Sequence, residues 1–414
     1  MQKSGRVVEK CQICYSNKIS PVLSLGHQPP SDAFLEEKNL KKEETYYPLD
    51  IYFCEDCKLV QLGYVVNPEE LFYEGYSYNT QTSGELVSNF ASLTANLTQR
   101  FNLTREDLAI DIGSNDGTLL EGFSRFGVKV LGIEPTGVAR LALEKGIPTI
   151  KKFFNKELIK EIVGNYGPAK VITATNVFAH IDDINGIVEG IGNLLKKDGV
   201  FVSESHYLLD LIEKMEYDSI YHEHLRYYSL KPLINLFKRH GMEVFDAERI
   251  TTHGGSLRVY ACKAGAHSTS GNIEAIIESE EKAGLYSRET FVKYGESVKK
   301  SKSDLMKILN GIKEKGERIV GIGAPAKGNT LLNYCNINRD ILDYLAEKSV
   351  LKKGLYSPGM HIPVVDEHLL FKEPQPGYAL VLAWNLKDII IPKIKEKGFK
   401  GKFIVPVPVP HIAA

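Results

Sequence analysis

Apolar residues follow two rhythms along this chain. Between Leu108 and about Phe245, short apolar runs alternate with stretches in which apolar positions recur every three or four residues. The short runs predict strands at Leu108–Ile110, Val128–Ile133, Val171–Thr175 and Val200–Glu204, with helices between them. Strands of this kind, separated by helices, predict a parallel sheet covered on both faces. A helix over 83–101 leads into the first strand. From Gly271 to Lys315 the residues are charged, with apolar positions at helical spacing. That predicts two amphipathic connecting helices, with Lys299, Lys300 and Lys302 on a solvated face. A second strand–glycine–helix unit starts at Arg318, with later strands at Tyr378–Trp384 and Phe403–Val405. Near the start, YYPLDIYF alternates as a strand behind a proline- and glycine-bearing loop, LSLGHQPPSDAFL.

With 414 residues the chain exceeds one typical core, so two or three domains are expected. The fold class is α/β. The boundaries read are a small N-terminal module over 1–72, a central Rossmann-like domain over 73–250, and a C-terminal Rossmann-like domain with connecting helices over 251–414. A net charge of -1 gives no electrostatic reason to expect nucleic acid or an anionic membrane as partner. No apolar stretch is long enough for a membrane span. The first residues, MQKSGRVVEK, lack the apolar core of a signal peptide. Together these lead to the expectation of a cytoplasmic protein, and a monomer is the simplest state to expect.

Four of the six cysteines form two CxxC pairs, Cys11/Cys14 and Cys54/Cys57. Each pair lets two thiolates reach one side of a tight turn. Two such turns supply four sulfurs for tetrahedral zinc, a closed structural site with no open position. A module of this size has little core, and the metal supplies the missing folding free energy. Cys262 and Cys335 stand alone and are expected to be buried small residues.

The stretch LAIDIGSNDGTLL, Leu108 to Leu120, reads as strand, glycine turn and helix. Its Gly113 and Gly117 do not follow the spacing of dinucleotide binders. Glu134 ends the next strand about twenty residues on, where an acid can grip two ribose hydroxyls. Glycines and a ribose acid without a phosphate-binding pattern suggest an adenosyl ligand lacking a pyrophosphate, and S-adenosylmethionine fits. The candidates to hold it are Asp111, Gly113, Asn115, Gly117, Glu134 and Asn176. Ligands bind beyond the carboxyl ends of parallel strands, which brings Asn176 and His180 to the same crevice.

YDSIYHEHL, Tyr217 to Leu225, is the densest cluster of proton-transfer groups. His222 and His224 would share a face if the backbone were extended, with Glu223 opposite; a tight turn would break that rule. General-base chemistry is the favoured reading, and a structural cluster the alternative. His253-Gly254-Gly255 permits a tight turn beside a ligand or strand. In the C-terminal unit, Gly321 to Asn329 carries Lys327, suited to phosphate oxygens beside a helix N-terminus, and Glu347 again stands about twenty residues on. Lys327 and Asn329 are therefore substrate-side candidates. Between module and core, Tyr73 to Thr80 is rich in tyrosines and reads either as a linker or as a loop laying Tyr76 or Tyr78 over the site.

Three ordered blocks carry a resemblance to a known family. They are the paired CxxC module, DIGSNDGTLL with IYHEHL, and GAPAKGNTLLNYC with SPGMHIPV and LAWN. Together the chain resembles the bacterial nucleotide-sugar C-methyltransferases, above all those acting at C3 of TDP-linked 4-keto deoxysugars. The resemblance implies structural zinc, S-adenosylmethionine as methyl donor, and a sugar nucleotide between the middle and C-terminal domains. It implies catalytic roles for Tyr221, Glu223, His224 and His180, and for a loop tyrosine best matched to Tyr78. That loop reads YSYNTQTS where YxSSxS is the expected pattern, so Tyr76 stays beside it as a candidate. The chemistry implied is removal of the C3 proton by His224, with Glu223 orienting it and Tyr221 and His180 donating to the oxyanion at C4. The alternatives are a sugar O- or N-methyltransferase, and a non-enzymatic zinc-module binding protein.

Overall fold

The computed structural model describes residues 5–72, 80–82 and 84–413. Tyr76 and Tyr78 lie outside the described residues. Three sheets carry the molecule, with a two-stranded ribbon of Gly5–Val7 and Tyr64–Val66 beside the first. The N-terminal strands are β1 (Ile19–Gln28), β2 (Tyr47–Cys54) and β3 (Val60–Leu62), paired antiparallel. β2 alternates buried and part-buried positions, because one face packs on the core.

Helix α1 (Gly84–Arg100) leads into the central domain. Its strands are β4 (Leu108–Ile112), β5 (Lys129–Ile133), β6 (Thr149–Ile150), β7 (Ala169–Thr175) and β8 (Leu195–His206). These five run parallel, and every residue of β4 is buried. A short strand, β9 (Arg226–Tyr227), follows, and then β10 (Met242–Ile250) and β11 (Ser256–Lys263). The seven-stranded sheet runs β10-β11-β8-β7-β4-β5-β6, with β10 and β11 antiparallel at one edge. β9 follows the middle domain in sequence but pairs with β3 of the zinc module: Arg226 faces Gln61 and Tyr227 faces Val60. The N–H of Leu62 also donates to the carbonyl of Leu225 at 2.9 Å.

The connecting helices are α2 (Asn272–Lys282) and α3 (Arg288–Lys313). Lys299 and Lys300 are exposed, as expected of a solvated face. Lys302 departs from that expectation. Its ammonium donates to the Tyr334 carbonyl at 2.5 Å and lies over the Tyr334 ring. The last sheet holds β12 (Ile319–Ile322), β13 (Leu345–Glu347), β14 (Val364–Asp366), β15 (Tyr378–Val381), β16 (Lys402–Val405) and β17 (His411–Ala413). Its order is β14-β13-β12-β15-β16-β17, and all pairs but the last are parallel. The edge is β17, which pairs antiparallel with β16. Trp384 lies past β15 in a short 3-10 turn. Cys262 and Cys335 are both buried. Among the described residues no helix is long and apolar enough to cross a membrane.

Candidate active site

The cysteine knuckles repeat one geometry. Cys11 accepts the N–H of Tyr15 and Cys54 accepts that of Lys58, and both Tyr15 and Lys58 are left-handed. The turns bring all four sulfurs within 4.8 Å of one another. Cys11 and Cys57 sulfurs are 3.3 Å apart and those of Cys14 and Cys54 3.6 Å. Those gaps are far beyond a disulfide bond and near the edge of a tetrahedron with zinc–sulfur bonds of about 2.3 Å. The four thiols fit a zinc ion, which would hold the module's two turns together.

Left-handed backbone marks the cofactor crevice. Gly113, Asn115 and Gly117 all have positive φ, as does Asn176 at the end of β7, where glycine or asparagine costs least. Glu134 is buried. Its carboxylate accepts the N–H of Asn115 at 3.0 Å and of Thr136 at 2.9 Å, which ties the end of β5 to the turn. Asp116 is fully buried and caps helix Thr118–Arg125, accepting the Thr118 N–H and hydroxyl at 3.1 and 2.6 Å. A carboxylate therefore occupies the helix N-terminus, where a pyrophosphate would otherwise bind. The remaining donor set suits a cationic adenosyl ligand, and S-adenosylmethionine is one. Asp111 lies on the crevice floor, bonded to the Thr173 hydroxyl at 2.6 Å. Burial above all, and then the charges of Glu134 and Glu204, push its carboxyl up to about 7 despite that bond. The Asn115 amide oxygen accepts the N–H and hydroxyl of Thr80 at 3.0 and 3.2 Å, so this side chain anchors the segment before α1 over the turn.

The Tyr221–His224 segment is a tight turn, closed by the His224 N–H on the Tyr221 carbonyl at 3.0 Å. The extended reading, with both histidines on one face, therefore does not hold. His222 is buried, its ring set edgewise to Tyr47 of the zinc module at 5.8 Å. Glu223 is buried too. Its carboxylate faces Ser31, whose hydroxyl lies 3.4 Å away, and burial with the nearby Asp32 charge pushes it up to about 8. The expected pairing of Glu223 with His224 is absent, because the turn sends the two side chains apart. His224 instead has Nδ1 2.8 Å from the Ser219 carbonyl.

Four rings gather around His224. Tyr221 is centred 4.0 Å away, His180 5.1 Å, Tyr227 6.4 Å and His206 6.5 Å. Burial above all holds His224 well below its ordinary value, and burial lowers His180 to about 4. His180 stacks on Phe72, and its loop is fixed by the Arg226 guanidinium, which donates to the carbonyls of Ile181 and Asp182 at 2.5 and 2.7 Å. The Leu225 N–H donates to Ala179 at 3.1 Å and joins that loop to the His224 turn.

Sequence reasoning missed a buried polar group behind these rings. His206 Nε2 meets Glu216 Oε2 at 2.5 Å. Asp218 accepts the Trp384 indole N–H at 2.7 Å across the interface with the C-terminal domain. Lys327 lies over the Trp384 ring at 4.5 Å, its charge answered by Asp218 and Glu216. No ion pair holds its ammonium among the described residues; the Asp218 and Glu216 charges act on it from beyond contact distance. Asn329 is corrected. It is buried, with its amide donating to the Ser31 carbonyl at 2.7 Å, so it fastens the zinc-module loop rather than facing an open site. Glu347 accepts the Ala324 N–H at 2.7 Å, repeating the relation of Glu134 to Asn115. The only sequence signal for the buried group was two acids flanking Tyr217.

Comparison with known proteins matches three family models in order: a zinc binding domain over 11–72, a methyltransferase domain over 88–247 and a C-methyltransferase C-terminal domain over 251–408. C-methyltransferase NovU of Streptomyces niveus is 32% identical over 417 residues, spanning 100% of this chain and 98% of its own. A ubiquinone biosynthesis O-methyltransferase of Colwellia psychrerythraea is 28% identical over 34% of this chain and 63% of its own. Among solved structures, an S-adenosylmethionine-dependent methyltransferase from Clostridium acetobutylicum aligns at TM-score 0.36 and 14% identity, over 43% of this chain and 92% of that one.

Proposed function

We propose, from the premise that this chain belongs to the C-methyltransferase family carrying those three domains in that order, that it methylates C3 of a TDP-linked 4-keto-6-deoxysugar. The methyl donor is S-adenosylmethionine, which supplies an electrophilic methyl when bound. Carbon is a poor nucleophile, so the substrate must first lose a proton. A ketone at C4 acidifies the proton on C3.

His224 is the base in this reading. The observation that carries it is the 2.8 Å contact of Nδ1 with the Ser219 carbonyl. A carbonyl only accepts, so Nδ1 carries the hydrogen and the neutral ring keeps its lone pair on Nε2. Nε2 takes the C3 proton, and the electrons of that C–H bond become the enolate. Tyr221 and His180 donate hydrogen bonds to the oxyanion growing at C4. Glu223 supports the turn from behind, and Tyr78, or Tyr76 in its place, is the remaining catalytic candidate. Glu134 takes the cofactor's ribose hydroxyls, with Asp111, Gly113, Asn115, Gly117 and Asn176 shaping the crevice around it. The nucleotide diphosphate lies against helix Ala326–Cys335, whose N-terminus has no side-chain cap. Lys327, the second residue of that helix, is the candidate donor to those phosphates.

The test is mass spectrometry and NMR of products from S-adenosylmethionine and a panel of TDP-4-keto sugars. A methyl on C3 is expected, with the C3 proton exchanging into D₂O. A second reading, O-methylation of a sugar hydroxyl, draws on the middle domain's likeness to the ubiquinone O-methyltransferase. A product methylated on oxygen, with the C3 proton retained in D₂O, would establish that reading in place of the first.

A further inference from the structure

Among the described residues, no carboxylate is in contact with His224. Nδ1 is on the Ser219 carbonyl, Glu223 is turned to Ser31, and the neighbouring rings are His180, His206, Tyr221 and Tyr227. A base in such surroundings gains a positive charge that nothing adjacent offsets. Burial already disfavours that charge.

One ring further back stands Glu216. It is 1% exposed, and its Oε2 meets His206 Nε2 at 2.5 Å, where an ionised Glu216 accepts the hydrogen of Nε2. Its Oε1 is buried without a hydrogen-bond partner. That oxygen has a place made for it. Gly254 has φ +95°, and a side-chain carbon there would sit 2.7 Å from Oε1. Lys214 donates to the Gly254 carbonyl and holds the glycine in place. The His253-Gly254-Gly255 motif thus acquires a reason: Gly254 leaves room for Glu216, and Gly255 for Asp210, whose Cγ would lie 2.1 Å from an added carbon. His253 is left-handed at φ +58°, a strained backbone for a non-glycine residue, on the same wall. The other charges facing this pair are Asp218 and Lys327, which oppose each other.

We propose that Glu216, acting through His206, is the counter-charge for the base: a positioning pair that lets His224 accept the substrate proton. The inference rests on the reading of His224 as base. In the step, the C3 proton moves to His224 Nε2 and the C–H electrons stay on the substrate as the enolate. The positive charge left on His224 is offset by the Glu216 carboxylate across the His206 ring. No further proton transfer and no co-reactant is needed.

The experiment compares the full-length, zinc-loaded enzyme with Glu216→Gln and Glu216→Asp. Glutamine keeps the size and an acceptor for His206 but removes the charge, so a merely structural role would survive it. With a TDP-4-keto-6-deoxysugar and saturating S-adenosylmethionine, Glu216→Gln is expected to lower kcat about 10–100-fold, near the lower end of a general base's contribution. It is also expected to move the acid limb of the pH profile to lower pH, since a base without its counter-charge holds a proton less well. Glu216→Asp should restore the limb. A second readout needs no sugar. Carbethoxylation of His224 by diethyl pyrocarbonate, followed by peptide mass spectrometry, also builds positive charge on the ring, and should slow several-fold in Glu216→Gln. Unchanged carbethoxylation, or a lowered kcat with the limb unmoved, overturns the proposal. Slowed carbethoxylation in a protein that never methylates the sugar upholds the pair and rejects the substrate reading instead.

Discussion

His224 and Ser219 are joined through Nδ1 and a backbone carbonyl 2.8 Å apart, and that contact decides which nitrogen of the ring can accept a proton. Five residues of chain separate them, closed through a short 3-10 turn at Tyr217–Ser219 and the tight turn Tyr221–His224. The tautomer is thus set by local backbone.

His224→Asn should keep S-adenosylmethionine binding and lower kcat by about 10²–10⁴-fold, the range for a general base. His222→Asn should leave chemistry much less affected, because its ring faces Tyr47 and not the crevice. The measurement is single-turnover methylation together with C3 proton exchange in D₂O. Near-native turnover in His224→Asn beside a dead His222→Asn would reverse the assignment.

Glu134→Gln should weaken S-adenosylmethionine by about 1–3 kcal/mol, the scale of a lost charge-assisted hydrogen bond. The carboxylate also accepts the Asn115 and Thr136 N–H groups, so the turn loosens with it. Isothermal calorimetry giving equal affinities would remove Glu134 from the cofactor site.

Cys54→Ser should lower zinc content and soluble yield, because an incomplete sulfur set loses much of the metal's folding contribution. Turnover should fall as well, since Leu62 of the module bonds Leu225 beside the base turn. Metal analysis of a Cys11→Ser/Cys54→Ser double variant provides the check; full zinc retention there would rule out the four-sulfur site.

The share of stability that depends on Glu223 and Asp111 should fall as pH rises from about 5 to 8, while the buried histidines, His180 lowered to about 4 among them, act in the opposite sense below their ordinary value. Burial pushes Glu223 up to about 8 and Asp111 to about 7, while both release their protons near ordinary values in the unfolded chain. Between the two values the folded state binds more protons, so raising pH favours unfolding. Glu223→Gln removes its share of that slope, and its Tm should decline less from pH 5 to 8 than the native chain's. Identical slopes in thermal melts of the two would mean that Glu223 is ionised in the fold.

Much of the frame was legible because it is local. The β4 strand and the turn at Gly113–Gly117 occupy one continuous stretch, and both cysteine pairs state their own geometry. What escaped was the direction in which side chains leave a turn. Spacing alone could not separate His222 from His224, and adjacency suggested a Glu223–His224 pair that the turn dissolves. The Trp384 ring beneath Lys327, and the Asp218 and Glu216 charges that act on it from a hundred residues upstream, left no trace in its own loop. His206 and Glu216 carried no motif at all: they meet because the end of β8 and the segment after the next helix converge. Asn329 and Ser31 come from opposite ends of the chain, a juxtaposition no local pattern reports.

The strand Arg226–Tyr227 is continuous with the base turn yet finishes the sheet begun by the cysteine module. Homologous genes that exchange segments at the linker before α1 would therefore mate a catalytic turn with a foreign sheet edge. Both parents could be active and the chimaera dead, although each half kept its own core. A crossover after Lys263, beyond the last strand of the central sheet, severs partners too, since Ser31 meets Asn329 and Asp218 meets Trp384 across it. Acceptor preference would then change by point substitution rather than by shuffling, with all three domains inherited as one unit.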